Sequence, residues 1–183
     1  MKSPINPEIW NRKEHFEFFK EFDEPFFGIV ADVDCTEALA WCRIQQIPFF
    51  HFYLYQSLRA ANHIEEFRSR IEDDEPVLYD LVHASPTISR HDHTFGFAFI
   101  PFVEDFGKFS TIITEEILAV GKTSGLRLNG ETGRNDVIHI QCSPGSVLQV
   151  FLMPDTLLTA IVCLKLHSGN ISKSMTGFSC LFR

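Results

Sequence analysis

Three histidines, His83, His91 and His93, are the nearest approach to a metal-ligand set in this sequence. A His-x-His pair on a strand puts both rings on one face. No third ligand stands at a matching spacing, so surface histidines beside a loop are the better reading. Gly121-Lys122-Thr123 resembles the end of a phosphate-cradling loop. That loop needs a glycine five residues before Gly121, where Glu116 stands, and the reading fails. Glu65, Glu66 and the run Glu72-Asp73-Asp74-Glu75 could gather round a cation, but a solvated acidic turn accounts for them more simply. The stretch Trp10-Asn11-Arg12-Lys13-Glu14-His15-Phe16-Glu17-Phe18-Phe19 remains, and the rest of the chain is read around it.

That stretch predicts a helix. Asn11 can cap its N-terminus with Glu14 three residues on, and Trp10 just outside would fix its approach. Phe16, Phe18, Phe19 and Phe22 recur at spacings of three and four, so the helix is expected to pack on two sides. Residues 25–34 then read as a strand. Residues 36–46 and 49–61 read as helices, the second opened by Pro48 and rich in aromatics. Residues 67–71 and 77–81 can pair around the acidic turn. Strands over 87–90 and 95–102 follow, then a helix over 104–120 ended by Gly121, a polar loop over 125–136, and a strand starting at Val137. This order predicts an α/β chain folded as a two-layer sandwich.

Composition narrows the partners. With 45% hydrophobic and 22% charged residues the chain has globular values, and its length suffices for one domain with a real core. Nineteen phenylalanines favour an aromatic-lined pocket or an interface. A formal charge of −8 argues against nucleic acid. Met1-Lys2-Ser3-Pro4 leads directly into a polar helix with no signal peptide, and five cysteines without metal spacing suit reduced thiols, so the expected location is cytoplasmic.

The opening helix resembles that of the chloramphenicol O-acetyltransferase family, whose members begin with Trp-x-Arg-(Lys/Arg)-Glu-His-Phe-Glu. The likeness continues through Phe67-Arg68, Tyr79-Asp80, Val82-His83 and Thr94-Phe95, in family order, over residues 5–139. It implies the family's own two-layer α/β sandwich. It also implies acetyl transfer from acetyl-CoA, as co-substrate and without a metal, to chloramphenicol or a similar small hydroxylated aromatic acceptor. In that chemistry a neutral histidine takes the acceptor's hydroxyl proton, and the oxygen attacks the thioester. The resemblance assigns acceptor contacts to Phe18, Phe19, Phe27 and Phe95. Phe19 stands where relatives can have Tyr, so a hydroxyl contact is lost. Arg12 matches the arginine that pairs with the Asp of a His-His-x-x-x-Asp-Gly motif carrying the base. A Ser in a Pro-Trp-x-x-Phe-x-Ser segment steadies the oxyanion in the family. The family is a homotrimer with active sites between subunits.

None of the C-terminal parts occurs in the sequence, and the last histidine is His167. Composition breaks at the same place. Residues 1–139 hold 23 of the 24 acidic and 13 of the 16 basic residues, a charge of −10, whereas residues 140–183 carry +2 and only three of the 24 aromatics. A membrane span over 147–166 is disfavoured by Pro154-Asp155 near its middle. A shift of reading frame explains more. Taking the third base of each codon with the first two of the next, 143–149 permits Pro-Trp-Val-Ser-Phe-Thr. Residues 165–183 likewise permit a string that includes Phe-Gly-Lys-Tyr and later Met-Pro-Val-Ser, both similar to family segments.

The expectation is therefore a family N-terminal part over 1–139 and an out-of-frame tail over 140–183 that forms no separate domain. The sandwich would be incomplete at its C-terminus and the trimer doubtful. The chain would be catalytically inactive, or alternatively a non-catalytic binding or oligomerising module with an aromatic pocket. Arg12, without its Asp, is expected to turn to backbone carbonyls, to Glu8 or Glu14, or to solvent.

Overall fold

A computed structural model describes residues 1–22, 27–142, 147–151 and 160–167. Its elements run β1 (Lys2–Pro4), α1 (Lys13–Phe19), β2 (Phe27–Asp34), α2 (Thr36–Ile44), α3 (Phe49–His63), α4 (Glu65–Arg68), β3 (Ser69–Glu72), β4 (Glu75–Tyr79), β5 (His83–Ser89), β6 (Phe95–Phe97), α5 (Phe106–Gly121), β7 (Val137–Cys142), β8 (Val147–Phe151) and β9 (Ala160–His167). Six strands form one mixed sheet in the order β2-β9-β8-β7-β5-β6, and β1-β4-β3 form a second, antiparallel one.

Alternation along β5 and β7 decides which side of the large sheet becomes core. Ala84, Pro86, Ile138 and Ile140 are buried on one face, where Leu54 and Leu58 of α3 and Phe109 and Ile113 of α5 close over them. His83, Ser85 and His139 alternate with these residues and belong to the opposite face. The layering of helices on a sheet is the expected α/β sandwich. Local signals set the two main helices. Asp105 caps α5, its carboxylate accepting the Lys108 N–H at 2.7 Å, a contact of the kind worth about 1 kcal/mol. Asn62 fastens the end of α3 to the start of β5. Its side chain accepts the Val82 N–H at 2.8 Å and donates to the Val82 carbonyl at 3.0 Å.

The β3–β4 hairpin forms around the acidic turn as expected. Asp73 and Asp74 take φ of 52° and 61°, the left-handed pair that a two-residue hairpin turn needs and that Asp tolerates. Glu72 accepts hydrogen bonds from Tyr79, Asn135 and Lys2. Burial opposes its ionisation, but these three donors outweigh burial and hold its carboxyl at about 2.

Three expectations are corrected and one element is added. The capping box at Asn11 and Glu14 does not form: α1 begins at Lys13, with Arg12 in the capping position and no side-chain cap. The reason is local: a turn that hands the Lys13 N–H to the Trp10 carbonyl at 3.2 Å precedes the helix, so Arg12 and not Asn11 stands at its start. The same helix does not pack on two sides, since only Phe16 is buried in it. Phe67 and Arg68 lie in α4, so the strand they were expected to start begins at Ser69. Finally β1, too short to show a period, adds an edge strand with Lys2 opposite Tyr79. In the 147–166 stretch β8 and β9 pair with each other, and β9 pairs parallel with β2. No helix among the described residues is long and apolar enough to cross a membrane.

Candidate active site

The aromatic helix α1 presents a ring cluster to solvent. Phe18, Phe19 and Phe22 stand with centroids 5.1 to 5.3 Å apart and are 62%, 45% and 48% exposed. They follow from sequence spacing, since positions 18, 19 and 22 share one side of a helical turn. Phe16 points the other way, onto Trp10 at 5.9 Å. Of the other two expected acceptor contacts, Phe27 opens β2, and its side chain lies outside the described residues. Phe95 opens β6, half-exposed, with its ring edge-on to Phe97 at 5.7 Å. Among the described residues no ring contact joins it to the α1 cluster.

Arg12 has found an acid, but not either of those expected. Its guanidinium donates to Glu66 of α4 at 2.7 Å, both side chains a little over 40% exposed. Glu8 instead pairs with Lys13. An ion pair this exposed is worth about 0–1 kcal/mol. Arg12→Ala is therefore expected to leave the urea midpoint of this chain almost unchanged, and a loss above about 2 kcal/mol would show that Arg12 has a buried partner.

The far face of the large sheet holds a cavity of about 310 Å³. Its walls include Ser85 of β5, Phe97 and Phe99 from the β6 segment, and Val137 and His139 of β7. The 125–136 loop closes over it. Arg134 from that loop lies over the Phe99 ring at 4.7 Å, and His83 meets the same ring edge-on at 5.5 Å. Arg134 also forks onto Asp136 at 2.6 and 2.7 Å and reaches Glu131 at 2.8 Å. Arg127 pairs with Glu116, whose carboxylate also takes the Phe99 N–H. Arg70, 2% exposed, forms part of the floor. Its guanidinium donates to the carbonyls of Phe67, Ser69, Asn135 and Val137. Burial lowers its pKa to about 10, so it keeps its charge at neutral pH.

A sequence profile described as chloramphenicol acetyltransferase matches residues 3–153. The chain belongs to the chloramphenicol acetyltransferase family. A chloramphenicol acetyltransferase of a Klebsiella species is 27% identical over 114 residues, 62% of this chain and 52% of that protein. One from Bacillus pumilus is 28% identical over 120 residues, 65% of this chain and 54% of its own length. A solved structure of a chloramphenicol acetyltransferase superposes with a TM-score of 0.68 at 30% identity, covering 79% of this chain and 70% of that one. The chain spans about half the length of the curated relatives it matches. The profile match runs past residue 139, where the resemblance was expected to end.

Within this family member the fold groups Phe18 and Phe19 with Phe22 and gives Arg12 a carboxylate on α4. Sequence reasoning overlooked the cavity, and with it Ser85, Phe97 and His139. The available signal was the alternation in residues 83–87 and 137–140, which sets polar residues opposite the core. It could not show that one loop covers that polar face. Of the three histidines weighed for metal, His83 sits in the sheet, with its Nδ1 accepting the Phe102 N–H at 3.1 Å, and His93 sits in the β5–β6 turn. Among the described residues no group of three candidate ligands gathers.

Three imidazoles give this site and its core an acid sensitivity. Burial lowers the pKa of His51 and His83 below the ordinary 6.5, and burial together with the charge of Arg70 lowers that of His139. Below pH 6.5 the unfolded chain therefore takes up protons before the folded one does. Stability is complete above that pH and declines as pH falls beneath it. The urea midpoint is expected to be lower at pH 5.5 than at 7.5, and an unchanged or higher midpoint would refute this.

Proposed function

We propose that this chain derives from an acetyl-CoA-dependent O-acetyltransferase whose acceptor is chloramphenicol or a similar small hydroxylated aromatic molecule. We further propose that the 183-residue sequence keeps acceptor binding without turnover. The observation that carries the reading is the exposed cluster of Phe18, Phe19 and Phe22. Three adjacent rings left in water are a binding surface rather than a folding device. With Phe27 and Phe95 these rings supply the apolar contacts that the family resemblance assigns to the acceptor.

The transfer itself needs a base to remove the hydroxyl proton as the oxygen adds to the thioester carbonyl. It also needs a donor to the oxyanion before the CoA thiolate leaves. The sequence has no His-His-x-x-x-Asp-Gly motif to supply the base. The pairing of Arg12 with Glu66 fits an arginine without its family partner. We assign residues 1–139 to the family's N-terminal part and 140–183 to an out-of-frame tail, on the charge and aromatic break at that point. The ancestral enzyme would be a cytoplasmic homotrimer, and the present chain would assemble poorly.

The test is calorimetric titration of the purified chain with chloramphenicol, beside an assay for CoA thiol release from acetyl-CoA. Heat of binding without thiol release is the expected pair. Release near a full-length relative's rate would overturn the inactivity, and no binding by folded chain would overturn the acceptor reading.

A further inference from the structure

A second cavity, of about 470 Å³, lies between the N-terminal segment, α1 and the β3–β4 turn. Backbone pairing builds it. β1 runs along β4 as far as Pro4 opposite Val77, and the Ile5 N–H donates to the Pro76 carbonyl at 3.0 Å. The chain then turns through Asn6, whose side chain accepts the Glu8 N–H at 3.0 Å, and α1 departs from Lys13. Pro4, Pro7 and Pro76 line the gap. With fixed φ and no N–H they make a stiff wall without donors. Trp10 and Phe16 close another side, their rings 5.9 Å apart and inclined at 51°. The volume falls within the range of small-molecule sites. Among the described residues none of the rings assigned to the acceptor lines it.

Charge decides what such a space would hold. The charged side chains of its lining are one cation, Lys13, against three acids, Glu17, Asp74 and Glu75. Lys13 is matched by Glu8 at 3.3 Å, and Glu17 by Lys20. Among the described residues no hydrogen bond or ion pair takes up the carboxylate of Asp74 or of Glu75. Lys20 stands near enough to feel Asp74 but gives its ammonium to Glu17. The rings agree with the acids, for that same ammonium lies over Phe16 at 5.5 Å. An anion would meet two unmatched carboxylates, and a neutral apolar body would leave them without counter-charge. A cation with an apolar shell satisfies both, resting on the Trp10 face while the acids balance it. We propose that this cavity binds a small organic cation of the quaternary-ammonium class. Such a head carries its charge beneath methyl groups, so it rests on prolines and rings with no N–H left unsatisfied. The site shares none of the acceptor's assigned rings, and each can exist without the other.

The experiment is titration of the full chain with choline and with 3,3-dimethylbutan-1-ol, its neutral shape-mate, followed by tryptophan fluorescence and calorimetry. Choline is expected to bind about three- to thirtyfold more tightly than the alcohol, the worth of one cation–π contact. Trp10→Leu, which keeps apolar bulk, should erase most of that preference. The chain has two tryptophans, so Trp41→Phe should leave the fluorescence response in place. Asp74→Asn keeps a side chain that tolerates the φ of 61° at that position. Combined with Glu75→Gln, it should weaken choline about two- to fivefold at low salt and leave the alcohol unchanged. This surface pair keeps the test open should Trp10→Leu fail to fold. Saturating chloramphenicol should leave choline affinity unaltered. No binding of choline by folded wild type, equal affinity for the alcohol, or a preference that survives folded Trp10→Leu or the double variant intact overturns the cation site. Competition by chloramphenicol overturns it too, by placing the cation among the acceptor's rings. Failure of chloramphenicol to bind overturns only the acceptor reading.

Discussion

Restoring one nucleotide near codon 140 is expected to raise acetyl transfer to chloramphenicol by at least roughly 10⁴-fold over the 183-residue chain. A positioned general base contributes about 10²–10⁴-fold and an oxyanion donor about 10²–10³, and the sequence as it stands encodes neither family group. Because groups that act as a unit are not additive, the lower figure is the safer one. The restored frame should encode His-His-x-x-x-Asp-Gly downstream, and Arg12 should then exchange Glu66 for the Asp of that motif. Arg12→Ala would consequently slow the restored enzyme while sparing the stability of the present chain, where the arginine holds only an exposed carboxylate. A restored gene without that motif, or one whose product stays inert, would remove the frame argument and leave a divergent C-terminus in its place.

Arg70→Met is expected to destabilise the chain by about 3–5 kcal/mol, lowering the urea midpoint sharply or preventing folding. The guanidinium is a hub for four backbone carbonyls from α4, β3, the 125–136 loop and β7. Methionine fills much of the volume but donates nothing, so those carbonyls must find water or stay unpaired. Each buried carbonyl left without a donor costs about 1–3 kcal/mol, and water entering from the adjoining cavity offsets part of that. Arg70→Lys should recover little, because one ammonium cannot reach acceptors spread around a planar fork. A midpoint within about 1 kcal/mol of wild type for Arg70→Met would show that the cavity already solvates these carbonyls.

Much of this protein follows from local pattern alone. The 3.6-residue period places α3 and α5, the acidic Asp73-Asp74 pair places the β3–β4 turn, and alternation separates Ile138 and Ile140 from His139. The opening motif of α1 and the segments after it were enough for the family. These signals share one property: each is complete within a dozen or so consecutive residues.

What the tertiary structure decided lies between segments far apart in sequence. Arg12 met Glu66 rather than Glu8 or Glu14, since α4 is folded against the opening segment and no local spacing encodes that approach. Asn11 lost its capping position because a turn at Trp10 puts Arg12 at the start of α1. The pairing of Ser85 with His139 depends on β5 and β7 lying parallel across an intervening helix and loop. A period states which residues share a face. Which neighbour covers that face is set by strand register and by the free energy of the whole packing, and so the polar cavity beside His139 belongs to the fold and not to any one stretch of chain.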